Sequence, residues 1–274
     1  MLTFNGNRRL AVVMVFFAGW LLCSCSVKED RTPCPGYLFV SFVDGDKYPG
    51  RIGMIGYADG EQIFHDSVFA AECDPYWIKA VRKNIIRLGS YTGIDQSYCR
   101  EHSIVIEQGN QADSTYSFFQ EVDCLGDEAY VDVTFHKQFC TVHLDIDQSA
   151  EDMQRFIFEV TGNSCGFDVL SFKPVAGPFH FEPKAVEGER VVDFRIPRQK
   201  DMELKLKLWY VNPRTGIKED MGVYPLASYI AKTGYDWETE DLQDVYIRIG
   251  LTIGSVTVSI QGWEDGIVIP LIEM

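Results

Sequence analysis

An all-β fold built of antiparallel sandwiches is what this chain predicts, on three observations. Many short segments alternate apolar and polar residues with a period of two, Gly, Pro and Asn punctuate them, and helical patterns are few and brief. Nothing alternates strands with long helices, so no parallel nucleotide-binding sheet is foreseen. The alternating segments run through residues 38–42 (LFVSF), 103–107 (SIVIE), 130–135 (YVDVTF) and 141–146 (TVHLDI). They continue at 191–196 (VVDFRI), 203–210 (ELKLKLWY), 245–249 (VYIRI) and 255–260 (SVTVSI). Each places apolar side chains on one face and polar ones on the other, the pattern of sheets with one solvated side.

Asn212-Pro213-Arg214-Thr215-Gly216 reads as the turn that folds one such strand back. Three short helices are expected. Asp74-Pro75 offers an N-cap and a first-turn proline for a turn reaching Val81. Ser149 caps residues 149–154, with acids in the first turn, and residues 225–232 (PLASYIAK) end at Thr233-Gly234. Extended sequence on both sides of Gln138 predicts that the chain leaves one sandwich and enters another there, giving domains 37–138 and 139–274, with no fixed-period repeat.

The first residues have another character. Arg8 and Arg9 precede a thirteen-residue apolar run, Leu10 to Leu22, and small polar residues follow. That is the layout of a secretory signal, residues 1–24. As a helix the run would measure about 20 Å, short of a bilayer core of roughly 30 Å. Without residues 1–24 the chain carries 23 basic and 40 acidic residues, a formal net charge of −17. Such a surface repels nucleic acid and anionic headgroups, so nucleic-acid binding is excluded.

Leu22-Cys23-Ser24-Cys25 resembles a bacterial lipobox, with Leu at −3 and Ser at −1 relative to Cys25. The resemblance implies that Cys25 is diacylated (palmitate being a typical chain) and becomes the N-terminus of a tether, residues 25–36. More than one acyl chain holds a protein firmly to a bilayer where a single chain would not. Lys28-Glu29-Asp30 looks like the surface-export signal of Bacteroidales lipoproteins, which places the protein on the outer face of the outer membrane. Asp66-Ser67-Val68 and Asp113-Ser114-Thr115 resemble the O-glycosylation sequon of the same bacteria, with Ser67 and Ser114 as acceptors.

The chemistry-bearing residues form no catalytic motif. There is no HExxH, GxSxG or P-loop, and the five histidines stand apart from one another. Counted from Asp145, the sixth and twelfth positions of a calcium loop are Ala150 and Phe156, not the required Gly and Glu. No metal, cofactor or catalytic residue is therefore expected, and the protein is read as no enzyme. Besides Cys25, six cysteines remain: Cys34, Cys73, Cys99, Cys124, Cys140 and Cys165. In an exported protein these allow up to three disulfides in fifteen pairings; buried free thiols are the other reading.

Two stretches together resemble one family. CSVKEDRTPCPGYLFVSF is similar to the lipobox, acidic tether, second Cys-Pro (Cys34-Pro35) and first strand of the FimB-type fimbrial anchor lipoproteins of Bacteroidales. PLASYIAKTGYDWETEDLQDVYIRIGLTIGSVTVSIQGWEDGIVI matches that family's ending in order: Pro-Leu, short helix, acidic loop, Tyr-Ile strand, final strand and Gly262-Trp263. The resemblance implies tandem transthyretin-like sandwiches and an anchor or accessory subunit of a fimbrium, active in cell adhesion. Its partners would be fimbrial stalk subunits, joined by strand addition, with residues 255–260 and 266–272 as the strands involved; closing the protein's own second sandwich is their other role. An anchor must keep Cys25 joined to its body, so no cut after Arg31 is expected in the mature form. The alternative is a surface glycan-binding lipoprotein or adhesin, contacting a host or glycan surface through Trp77, Trp209, Trp237 or Trp263, with Trp237 the most solvent-facing. A surface glycosidase is a third reading, unsupported by any motif.

Overall fold

The computed structural model describes residues 34–48, 50–73, 75–251, 255–260 and 266–270. Strands and helices are numbered in chain order. β1 (Gly36–Phe42) lies between β4 (Trp77–Val81) and β9 (Glu128–Val133) in a three-stranded sheet. Against it packs a five-stranded sheet of β2 (Arg51–Ala58), β3 (Glu61–Phe69), β5 (Ile85–Thr92), β8 (Tyr116–Asp123) and β10 (His136–Lys137), in the order β10-β8-β5-β2-β3. Leu38, Val40, Val131 and Val133 from the first sheet meet Ile52, Met54, Ile86 and Leu88 from the second in one apolar cluster. Period-two alternation is what supplies both halves of this core from every second residue.

The second pair of sheets repeats the plan. β11 (Phe139–Asp145), β14 (Val191–Pro197), β17 (Val245–Gly250), β18 (Ser255–Ile260) and β19 (Ile267–Pro270) follow the order β14-β11-β17-β18-β19. Opposite lie β6 (Cys99–Arg100), β7 (Ser103–Val105), β12 (Phe156–Asp168), β15 (Lys205–Val211) and β16 (Lys218–Tyr224), in the order β16-β15-β12-β7-β6, with β13 (Pro174–Phe181) also paired to β12. Val142, Leu144, Phe194 and Ile247 face Phe158, Val160, Leu206 and Leu208 across the larger core. Burying each such side chain contributes about 1.5–3 kcal/mol. Helix α1 (Ala150–Met153) is capped by Ser149, whose Oγ accepts from Asp152 N. Helix α2 (Leu226–Ala231) buries Leu226, Ala227, Tyr229 and Ile230 in that core and ends before Gly234, at φ 76°.

The repetition is topological, not sequential. In each pair the opening strand has an antiparallel neighbour on one side and a parallel one on the other: β4 and β9 flank β1, β14 and β17 flank β11. The two differ at one edge. β9 ends its sheet, whereas β17 is followed by β18 and β19.

A third cluster joins the two pairs. Ile55 and Tyr91, on the outer face of the β10-β8-β5-β2-β3 sheet, pack against Ile104, Phe167, Val169 and Leu170 from the far end of β7 and β12. Arg87 Nη2 donates to the Leu170 carbonyl at 2.9 Å in the same seam. Thus residues 99–105 precede Gln138 in the chain yet hydrogen-bond into the second pair through β12. Gly89 permits the close approach: a Cβ there would stand 2.8 Å from Leu170 Cδ2 and 2.9 Å from Val169 Cγ1.

One expectation is corrected, and of the two readings of the cysteines the free-thiol one holds. Trp77–Val81 is strand β4, not a helix, because it pairs with β1 from Gly36↔Val81 to Val40↔Trp77 and exposes alternate residues. Sheet pairing has overridden a local helix start. All six cysteines are free thiols; Cys99, Cys124, Cys140 and Cys165 are buried, and burial pushes Cys124 and Cys140 up to about 11 and about 12. They are small apolar core residues here.

Replacing Gly89 with Leu should destabilise the protein by about 1–3 kcal/mol through overpacking of the seam. Equilibrium urea unfolding measures it, and an unchanged midpoint would contradict this packing.

Candidate functional site

The features able to take a partner are sheet edges and one acidic loop. At the end of the second pair, β14 is one edge and β19 the other. The β14 edge is occupied midway: Ala112 N donates to the Arg195 carbonyl at 3.1 Å, and Arg195 N donates to Gln111 Oε1 at 3.0 Å. Among the described residues β19 has no strand on its outer side, and its Ile267 and Val268 are 41% and 63% exposed while Ile269 enters the core. Among the described residues β9 is the corresponding open edge of the first pair. Unpaired N–H and C=O groups along such edges are ready to pair with another chain.

Between α2 and β17 the acidic loop, residues 236–244, folds over the point where the chain crosses from one sheet pair to the next. Its anchor is Arg198, only 3% exposed. Arg198 Nη1 donates to the Trp237 carbonyl and, at 2.8 Å, to that of Thr239; Nη2 donates to Gln138 Oε1 at 2.9 Å and the Glu240 carbonyl at 3.4 Å. Gln138, 2% exposed, donates in turn to the His136 and Glu240 carbonyls at 3.2 Å. Burial pulls the guanidinium below its usual pKa, against the opposing charges of the loop.

The loop's carboxylates complete the contact. Asp241 accepts from Lys137 N at 2.7 Å and lies 2.9 Å from His136 Nδ1; Asp244 accepts from Lys137 Nζ at 2.5 Å and Thr141 N at 2.8 Å. Burial, the largest single influence on each, raises these carboxyls. The hydrogen bonds from His136, Lys137 and Thr141 together outweigh it and leave both below the ordinary range. Elsewhere Asp145, the residue that opens the acidic run 145–152, is a buried ion-pair partner of Arg248 at 3.0 Å and Arg190 at 3.4 Å.

Cys25, Lys28, Glu29 and Asp30 lie outside the described residues, as does Trp263. Ser67 sits half-buried on β3, where its Oγ accepts from Arg51 Nη1 at 3.2 Å. Ser114 is a half-buried residue of the loop before β8. The two acceptors stand on different elements and form no common site. Trp77 packs beside Phe64 at the first core. Trp209 lies under Lys218, 3.7 Å from its ring centre, and Lys207, at 5.4 Å. Trp237, expected to face solvent, is half-buried against Tyr235 at 4.5 Å, because Arg198 draws its backbone inward. β18 pairs with β17 and β19 pairs with β18, so the second sandwich is closed by its own C-terminal strands. Sequence reasoning missed Arg198 entirely; the only signal was an arginine directly after a strand-ending proline.

No family model and no curated protein matches the sequence. Solved structures do match its fold. A polysaccharide-binding candidate from Bacteroides thetaiotaomicron aligns with a TM-score of 0.58 and 12% identity over 83% of this chain and 96% of its own. The fimbrial anchor protein Mfa2 from Porphyromonas gingivalis gives 0.56 and 12% over 84% and 98%; an adhesin candidate from Bacteroides ovatus gives 0.56 and 10% over 88% and 97%. At such identities the shared property is the β-sandwich fold.

Because Asp244 has a lowered folded-state pKa, its contribution to stability is complete above the unfolded value near 4 and is lost as pH falls through the folded value. Asp244→Asn should therefore melt below wild type at pH 7, with the gap narrowing as pH falls below about 4. A gap independent of pH, read by thermal denaturation, would contradict the ion pair.

Proposed function

We propose that this protein is a non-enzymatic subunit of a surface fimbrium, serving as its anchor or an accessory piece in cell adhesion. In this reading residues 1–24 are removed on export, lipid on Cys25 holds the chain to the outer membrane, and Lys28, Glu29 and Asp30 direct it to the outer face. Residues 25–36 form the tether, and 37–138 and 139–274 form two sandwiches, with β6 and β7 contributed across the seam. Ser67 and Ser114 are proposed as O-glycan acceptors, which intact-mass measurement of the native protein tests directly.

The observation that carries the proposal is the pair of open edges. Among the described residues β9 has no neighbour of the kind that β18 is to β17 in the second pair, so a strand from another subunit would extend the first sheet as the chain's own strand extends the second. β19 offers an exposed edge of its own, with Pro270 unable to donate at its end. Main-chain hydrogen bonds would supply affinity in either case, and alternate side chains the register. The fold shared with the Mfa2 anchor protein supports the same reading.

Cross-linking on intact cells, followed by mass spectrometry, tests this function. Fimbrial stalk subunits should be captured by wild type, and a Cys25→Ala strain should release the protein into the medium. An Ile267→Lys/Val268→Lys chain should keep its melting temperature, because both side chains are exposed. If β19 is the joining edge, this variant loses the cross-links; if they persist, the joining strand adds at another sheet edge, such as β9. Capture of transporters alone would instead favour a nutrient-binding lipoprotein.

A further inference from the structure

A cleft of about 800 Å³ opens beside the Arg198 anchor, between the turn at 171–174, the segment 198–202 and the loop at 236–238. Two aromatic residues, Phe172 and Trp237, line it, and both are half-buried. Phe172 is held at φ 56°, a left-handed conformation that a bulky side chain rarely adopts. Phe172 N donates to the Asp168 carbonyl at 2.8 Å, and Leu170 N donates to Asp168 Oδ1 at the same distance; together they hold that turn. Strain of this kind persists where surrounding structure imposes it, and it gathers at ligand sites. Trp237 is fixed from the other wall, its carbonyl by Arg198 and its ring by Tyr235.

The polar groups of the cleft carry both signs. Lys173 and Lys200 bring donors; Asp201, Asp236 and Glu238 bring acceptors. Three carboxylates disfavour an anionic ligand, and the two ammonium groups disfavour a compact cation. A ligand matching apolar rings flanked by donors and acceptors is uncharged, with an apolar face and several hydroxyls. Pyranose sugars have that construction, since axial C–H groups form a face that packs on an indole while the ring edge presents hydroxyls. The volume falls in the range of small-molecule sites.

We propose that this cleft is a saccharide-binding site, with Trp237 as the stacking platform, Phe172 as the second apolar wall, and Glu238 and Lys173 as hydroxyl partners. Arg198 is a positioning residue that holds the platform before ligand arrives. The proposal does not depend on fimbrial assembly: cross-linking to stalk subunits can fail while sugar binding stands, and the reverse.

The test uses the full chain and a panel of neutral tetrasaccharides of glucose, mannose, galactose and N-acetylglucosamine, read by titration calorimetry and tryptophan fluorescence. At least one probe should bind at millimolar concentration or below. Trp237→Ala should weaken it by about tenfold or more, and Glu238→Gln severalfold at unchanged melting temperature. Trp209→Ala, on another face, should leave binding intact. If Trp237→Ala fails to fold, Glu238→Gln decides. Absence of binding by every probe at 10 mM (about the weakest affinity worth the name of a site), or binding unaltered in both cleft variants, would overturn the proposal.

Discussion

A single buried guanidinium organises the part of this molecule where everything else meets. Among the described residues Arg198 has no carboxylate at hydrogen-bond distance; its partners there are three loop carbonyls and the amide of Gln138. Removing such a charge from water is costly, and only several well-placed acceptors offset it. The consequence is geometric. The loop at 236–244, rich in acids and otherwise free to sample many conformations, is fixed against the crossing strand, and Trp237 is fixed with it.

That anchor works because a second constraint stands behind it. The seam of Ile55, Tyr91, Ile104, Phe167, Val169 and Leu170 joins the two sheet pairs through apolar contact rather than a linker. Gly166 lets β7 approach β12, since a Cβ there would lie 1.9 Å from the Ile104 carbonyl oxygen. With the seam closed, the turn at 171–174 and the loop at 236–238 become opposite walls of one cleft. Such a joint also restrains the relative motion that is the default between domains joined only by a linker.

Much of the fold was legible and much of the site was not, for physical reasons. Period-two patterns at 38–42, 141–146 and 245–249 placed strands because each has one buried and one solvated face. Ser149 and Gly234 marked helix ends through local chemistry that needs no distant partner. Trp77–Val81 was misread because its strand character comes from pairing with β1, 37 or more residues earlier in register. Likewise, nothing local to residues 99–105 reveals that they pair with β12. Arg198, Phe172 and Trp237 come together only after folding, so no spacing in the chain announced the cleft. Trp237 was noticed, but its half-buried state follows from a hydrogen bond to its carbonyl, which its own identity does not encode.

The central claim is that Arg198 holds the acidic loop and the crossing strand as one rigid piece. Hydrogen exchange followed by mass spectrometry, on wild type and Arg198→Met, tests it most directly. The account predicts slow exchange at residues 236–244 and 136–141 in wild type, and a joint loss of protection in the variant while β12 and β15 stay protected. Rapid exchange of the loop in wild type, or protection unchanged by the substitution, would contradict it.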